Sequence, residues 1–316
     1  MNRNRFANSF RLAVGLFCCG IVAGGTALGA EPNPPPSVAN AAYGPHERNV
    51  LDLWQASSQR PTPLMVWIHG GGFVNGDKAG VGKNPAIRQC LDAGVSFAAI
   101  NYRYRNQAPI QNILRDVARA IQYVRSRAAE WNIDPARIAA FGSSAGAGSS
   151  LWLAFHDDLA DPKSQDPVLR QSSRLAAAGA LDGQASYDLR DWDSIVGPAP
   201  VARRSDEWLQ FYGFGSQAES DLPASDRVMK DCSMIGLISQ DDPPVVAVST
   251  IPPAEIETRR DIVHHPKHAM AIANRCKNAG VECRLMLHDD PQTDRAAQTS
   301  GAVAFLLEKL TAAGAK

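Results

Sequence analysis

Two glycine-rich turns, each directly after a short apolar run, leave this chain few folds to choose from. Residues 63–68 lead into His69-Gly70-Gly71-Gly72-Phe73, and about seventy residues later residues 137–142 lead into Ser143-Ser144-Ala145-Gly146. Apolar runs of that length suit buried strands, and the stretch from Ser144 through Leu151, Trp152, Leu153 and Phe155 suits a buried helix. The second segment is therefore strand, turn and helix around a Gly-x-Ser-x-Gly pattern spanning 142–146. A serine on so sharp a turn sits in strained backbone, and a β-carbon at Gly142 or Gly146 would collide with neighbouring chain. Ser144 is then presented at a helix N-terminus, where backbone N–H groups favour developing negative charge. In the first segment three glycines let the backbone turn its N–H groups toward a substrate oxygen. Together with the N–H of Ala145, those of Gly71 and Gly72 form a candidate oxyanion hole. The bland alternatives are a glycine-rich turn that happens to hold serines and a flexible loop. Two such segments, in this order and both after strands, argue against coincidence.

Apolar runs at 63–68, 95–101, 137–142, 175–181, 245–250 and 281–287 alternate with helix-like segments. That alternation predicts an α/β fold with a mainly parallel central sheet and helices on both faces. The clearest helix is 110–130, where Ile110, Ile113, Val117, Ile121 and Val124 make one stripe at three- and four-residue spacing. Residues 157–240 are longer than one crossover and rich in Asp, Ser, Pro and Trp.

From residue 43 to 310 the chain resembles the α/β-hydrolases, specifically the His-Gly-Gly-Gly esterase branch that includes hormone-sensitive-lipase-like and feruloyl- or acetyl-esterase-like bacterial enzymes. The likeness also includes Gly76-Asp77-Lys78, Asn101-Tyr102-Arg103, Asp116 and the segment from Ile133 to Ile138 before the serine. It implies an α/β-hydrolase fold in which residues 157–240 build a lid or acyl pocket, with Trp192, Trp208, Phe211 and Tyr212 either shaping substrate binding or simply packing the insertion. No cofactor is implied.

A serine nucleophile needs a base in hydrogen-bond reach and an acid to orient it, in chain order Ser, Asp, His for this fold. Asp241 and Asp242 precede an apolar run and so fall at the wrong end of a parallel sheet, whose ligands sit at the carboxyl ends of its strands. Asp261 follows that run and is the better acid, although Glu255, Glu257 and a plain surface loop remain open. The family carries a Gly-His pair after its last strand; here Leu287-His288-Asp289-Asp290 has none, and His288 is the candidate base. The competing reading makes His288 a surface histidine and the triad incomplete. His264, His265 and His268 could suggest a metal site, but Pro266 interrupts the helical spacing and no ligand set accompanies them, so a loop and helix start is expected and no metal. His264 or His265 could also serve as an unconventional base.

The 316 residues and 45% hydrophobic content suffice for one large core. Arg3, Arg5 and Arg11 precede an apolar stretch ending in Ala27-Leu28-Gly29, the pattern of a secretory signal peptide over 1–30. A proline-rich linker is expected over 31–42 and the hydrolase domain over 43–316. Without the signal, 29 basic residues face 32 acidic ones, which gives no support to nucleic-acid binding. A secreted or periplasmic location is expected, with no stable membrane span once the signal is cleaved. Cys276 and Cys283 are a candidate disulfide pair, equally compatible with thiols. The sequence therefore predicts an exported serine carboxylesterase acting on small or polysaccharide-linked esters. The alternative is an inactive hydrolase-fold binding protein.

Overall fold

A computed structural model describes residues 33–197, 206–253, 259–288 and 294–312 of the chain. The expected signal peptide lies outside these residues. Among them, eight strands form one sheet: β1 (Val38–Ala42), β2 (Val50–Trp54), β3 (Thr62–Ile68), β4 (Ser96–Ile100), β5 (Ile133–Ser143), β6 (Ala177–Leu181), β7 (Val245–Val248) and β8 (Cys283–Met286). Their spatial order is β1-β2-β4-β3-β5-β6-β7-β8. The first two pairings, β1 with β2 and β2 with β4, are antiparallel, and all the others are parallel.

Parallel pairing needs a crossover between strands, and helices supply it. These are α1 (Ala86–Asp92), α2 (Ile110–Ser126), α3 (Ala145–Phe155), the short helices α4 (Trp192–Ile195), α5 (Asp206–Tyr212), α6 (Gln217–Ser220), α7 (Pro223–Asp231) and α8 (Met234–Leu237), then α9 (Arg259–Val263), α10 (Lys267–Ala279) and α11 (Arg295–Ala312). Side chains alternate along each strand, so the sheet fills two cores. Leu64, Val66 and Ile68 of β3 belong to one core with the helices α2 and α3, while Met65 belongs to the other with α1 and α11. The stripe Ile110, Ile113, Val117, Ile121 and Val124 is fully buried, as its spacing predicts. The helix stops at Ser126 rather than 130.

Six strands fall where the apolar runs predict them. The two antiparallel ones do not announce themselves, because β1 is short and largely exposed and β2 carries a buried acid, Asp52, inside its apolar run. The expected linker over 31–42 is corrected accordingly: 38–42 is a strand, and Trp54 Nε1–H donates to the Pro34 carbonyl at 2.8 Å. The expected insertion over 157–240 is also divided, since β6 lies within it and belongs to the central sheet. Its helical part is α4 to α8.

The registers align the strand ends that matter. Ile68 pairs with Gly142, Gly142 with Ala180, Ser143 with Leu181, and Leu181 with Val248. Both glycine-rich turns and the segments after β6 and β7 therefore leave the sheet at one edge, the carboxyl edge where open α/β sheets bind ligands.

Candidate active site

Ser144 follows β5 and precedes α3 with φ +53° and ψ −117°, a strained backbone for a residue with a β-carbon. The turn is possible only because its neighbours are glycines. A β-carbon on Gly142 would lie 2.2 Å from the Gly146 carbonyl oxygen, and one on Gly146 would lie 2.0 Å from that of Ile68. The N–H of Ser144 is anchored on the Leu181 carbonyl at 2.9 Å, so β6 holds the turn from the side.

The His-Gly-Gly-Gly loop runs directly against this turn. A β-carbon on Gly70 would meet the Ser143 carbonyl oxygen at 2.7 Å and the Ser144 β-carbon at 3.3 Å. Gly71, Gly72 and Phe73 then take φ of +109°, +60° and +61° in succession. Among the described residues, no hydrogen bond uses the N–H groups of Gly71, Gly72 or Ala145. Unused N–H groups on a loop packed against a serine turn are the kind of donor that a developing oxyanion requires.

The loop is braced from behind. His69 stacks on Tyr102 with ring centroids 4.3 Å apart, and the Tyr102 hydroxyl donates to the His69 carbonyl at 2.5 Å. Burial first, and then the Arg48 guanidinium, lower the His69 pKa to about 4, so its ring is neutral near pH 7. Its Nδ1 lies 2.7 Å from the Gly70 carbonyl and its Nε2 3.4 Å from Arg48 Nη2. Nδ1 is then the donor and Nε2 the acceptor, since the guanidinium only donates. Arg48 Nη2 and the Tyr104 hydroxyl both donate to the Gly76 carbonyl, at 3.0 and 2.5 Å. Asn101 joins the bracing, accepting from the Lys78 N–H and donating to the Asp77 carboxylate, each at 2.7 Å.

The imidazole against Ser144 is that of His264. Its Nε2 lies 3.5 Å from Ser144 Oγ, and its Nδ1 lies 2.8 Å from the main-chain carbonyl oxygen of Asp182. A carbonyl can only accept, so it fixes the tautomer with the proton on Nδ1 and leaves the Nε2 lone pair facing the serine. His264 follows the short helix α9, which one further bond fastens to the segment after β6 and another to α10. Gln184 Nε2 donates to the Val263 carbonyl at 2.9 Å, and His268 Nε2 lies 3.0 Å from the Ile262 carbonyl. His268 is fully buried, which pushes its pKa down to about 4; its Nδ1 accepts the Ala185 N–H at 3.3 Å. It is a structural histidine, and among the described residues no His, Cys, Asp and Glu side chains are grouped to hold a metal ion.

The expectations for base and acid are corrected on this geometry. His288 follows β8 at the carboxyl edge, but no hydrogen bond joins it to Ser144, and its buried Nδ1 has no partner among the described residues. Asp261 lies within α9, three residues before His264, while the single Nδ1 proton of His264 is taken by Asp182. Glu255 and Glu257 lie outside the described residues. Asp241 and Asp242 stand before β7, at the far end of the sheet, as expected. The histidine pair at 264–265 stands out in the sequence; Asp182 does not. Its signal was present all the same, since it directly follows the apolar run 175–181 and lies between Ser144 and His264 in chain order.

Aromatic rings close one side. Phe73 packs edge-on against Tyr102 and Tyr187, with centroids 5.8 and 5.4 Å away, and Phe211 of α5 lies 6.3 Å from Phe73 and 6.2 Å from Tyr187. The Tyr187 hydroxyl donates to the Ala145 carbonyl at 2.6 Å. Of the four aromatic residues expected to shape a pocket, Phe211 packs directly on this cluster beside the His-Gly-Gly-Gly loop, and Tyr212 joins it through the Phe211 ring, 5.1 Å away, and through its hydroxyl, which donates to the Tyr187 carbonyl at 2.5 Å. Trp208 and Tyr212 are buried against one another and Phe214, and Trp192 packs on His268. The four described cysteines are free, and Cys276 and Cys283 share a hydrogen bond that pushes the first thiol's pKa up and the second's down.

The model of the BD-FAE family matches residues 51–250, which span both glycine-rich turns, β6, Asp182 and β7. The chain belongs to the BD-FAE family, an esterase family of the α/β-hydrolase fold. Among relatives, it is 30% identical over 142 residues to the probable isoprenylcysteine alpha-carbonyl methylesterase ICMEL1 of Arabidopsis thaliana, covering 45% of this chain and 29% of that one. It is 31% identical over 141 residues to the probable carboxylic ester hydrolase LipM of Mycobacterium tuberculosis, covering 43% and 32%. The matches thus span about a third of each relative. Among solved structures, this BD-FAE member superposes on a truncated carbohydrate esterase from gut microbiota with a TM-score of 0.67 at 21% identity, covering 87% of this chain and 96% of that one. An acetyl ester-xyloside bifunctional hydrolase from Caldicellulosiruptor lactoaceticus gives 0.62 at 20% identity, covering 84% and 88%. These two superpositions carry the fold. Among the described residues no helix is long and apolar enough to cross a membrane.

Proposed function

We propose that the chain is an exported serine carboxylesterase that removes short acyl groups, acetyl above all, from carbohydrate esters. The observation that carries the reading is the contact of Ser144 Oγ with His264 Nε2 on a strained turn, with the N–H groups of Gly71, Gly72 and Ala145 in no hydrogen bond among the described residues. Ser144 Oγ attacks the ester carbonyl carbon as its proton passes to His264 Nε2. The carbonyl oxygen, now negative, is held by the N–H groups of Gly71, Gly72 and Ala145. Collapse of the tetrahedral intermediate breaks the carbon–oxygen bond to the alcohol, which leaves with the proton from His264. Water, deprotonated by the same imidazole, then attacks the acyl-enzyme and frees the acid and Ser144. The choice of a short acyl group is supported by Phe73, Tyr187 and Phe211 beside the oxyanion loop, and a carbohydrate ester by the names of the two superposed enzymes. Export is supported by the basic and then apolar N-terminal sequence.

The test is hydrolysis of 4-nitrophenyl acetate and of an acetylated oligosaccharide by the purified protein. Ser144→Ala and His264→Ala are each expected to lower kcat by about 10³-fold or more, since members of one catalytic unit lose activity together. His288→Ala is expected to stay within about three-fold of wild type, the size of change left by a group outside that unit. A His264→Ala variant with wild-type turnover would return the base to His288.

A further inference from the structure

Nucleophile and base hang from two consecutive carbonyl groups. The Leu181 carbonyl accepts the Ser144 N–H at 2.9 Å, and the Asp182 carbonyl accepts the His264 Nδ1–H at 2.8 Å. Leu181 ends β6, and the Asp182 N–H is still bound in the ladder, on the Val248 carbonyl at 2.8 Å. The two carbonyls diverge because Asp182 has φ +52°, the left-handed region where glycine is the unstrained choice and Asp and Asn are tolerated.

The chain places a carboxylate at this kink, and the carboxylate is buried. It accepts the Thr250 N–H at 2.7 Å and the Thr250 hydroxyl at 2.9 Å, and Arg295 Nη1 lies 3.2 Å away. Thr250 stands two residues beyond β7, on the strand end next to β6. Hydrogen bonds to a charged acceptor are short and strong, so three donors converging here make a stiff anchor. Glycine would give the kink its shape without fixing it.

We infer that Asp182 is the positioning residue of the Ser144–His264 pair: its side chain clamps the kink to Thr250 and so fixes both the serine-to-imidazole distance and the imidazole tautomer. The inference rests on the esterase reading above for its catalytic consequence, though the geometric part stands on its own. Loosening the clamp leaves every reacting group in place but poorly aimed, and misplacement by about 1 Å costs on the order of 10²-fold in rate.

The experiment compares Asp182→Gly, Asp182→Asn and Thr250→Val by steady-state kinetics, thermal unfolding and ¹⁵N NMR of the His264 ring in the full chain. Asp182→Gly keeps the backbone shape without the anchor; its kcat is expected to fall about 100-fold with KM within about three-fold, and its ring nitrogens to report a mixture of tautomers. Asp182→Asn tolerates the same φ and still offers Thr250 an acceptor, so it is expected to recover most of the loss and a single tautomer. Thr250→Val, which keeps the backbone N–H, is expected to lie between them and judges the inference if Asp182→Gly does not fold. Wild-type kcat with a single Nδ1–H tautomer in Asp182→Gly would overturn it, as would equal loss in the Asn and Gly variants. If the wild type turns over no ester, the esterase reading falls, while the tautomer measurement still decides the role of Asp182.

Discussion

The residues read most directly from the sequence are those whose requirement is local. Gly146 must lack a β-carbon because the Ile68 carbonyl oxygen stands where that carbon would be, only 2.0 Å off, and the obstruction is backbone that cannot swing aside. Gly146→Ala is expected to lower stability by about 3 kcal/mol or more, or to prevent folding, read as a fall in the urea midpoint. Ser144 was legible for the same reason, since its strain is written in the glycines on either side. His264 and Asp182 were not, because no local pattern records that a histidine 120 residues away returns to the serine. The rule that favours the carboxyl ends of strands applies equally to Asp182, but the acids that the sequence singles out, Asp241, Asp242, Glu255, Glu257 and Asp261, all flank β7. The part played by this residue's carbonyl, moreover, carries no residue signature at all, since every amino acid has one.

At the scale of elements, the His-Gly-Gly-Gly loop is held by a buried charge pair as well as by hydrogen bonds. Lys78 Nζ, just after the loop, meets Asp52 Oδ2 of β2 at 2.7 Å, and Asp52 Oδ1 accepts the Asn40 N–H of β1 at 2.8 Å. One carboxylate thus ties the two outer strands to the loop. Removing one partner strands a buried charge, so Asp52→Leu is expected to cost about 3–5 kcal/mol, and adding Lys78→Met to recover much of that loss. A double-mutant cycle in urea measures both; a double variant whose loss equals the sum of the two single losses would show that the pair is not coupled. This acid also explains why β2 was overlooked: an apolar run broken by Asp reads as a turn until its lysine partner, 26 residues on, is seen beside it. Strands β3 to β7 are legible because burial on both faces makes each of them a nearly continuous apolar run, whereas the edge strand β8 is only partly buried.

Over the whole molecule, two neutral buried histidines set a response to acid. His69 and His268 both have pKa values lowered to about 4 from 6.5, by burial in each case. Above pH 6.5 neither the folded nor the unfolded chain protonates them; below it the unfolded chain takes protons that the fold refuses, so stability falls down to about pH 4. By pH 5 the loss is about 2 kcal/mol for each histidine. His156 works in the opposite sense: burial disfavours its charge, but the bonds to Asp231 and to the Asp157 carbonyl together outweigh it and raise its pKa, so its contribution is present at low pH and lost as pH rises. Urea midpoints at pH 7 and pH 5 should therefore differ, and His268→Asn should narrow the difference by about 2 kcal/mol while lowering stability at both. An unchanged difference would mean that His268 titrates normally in the fold. The separation of Ser144 from His264 along the chain has a further consequence, in time rather than in energy. The loop after β3, the turn after β5, the kink after β6 and the histidine after β7 meet only when non-local parallel pairings are complete, and such pairings form slowly. During refolding, helical circular dichroism should return first and the proposed ester turnover last, so that reaction would time the docking of β7 against β6.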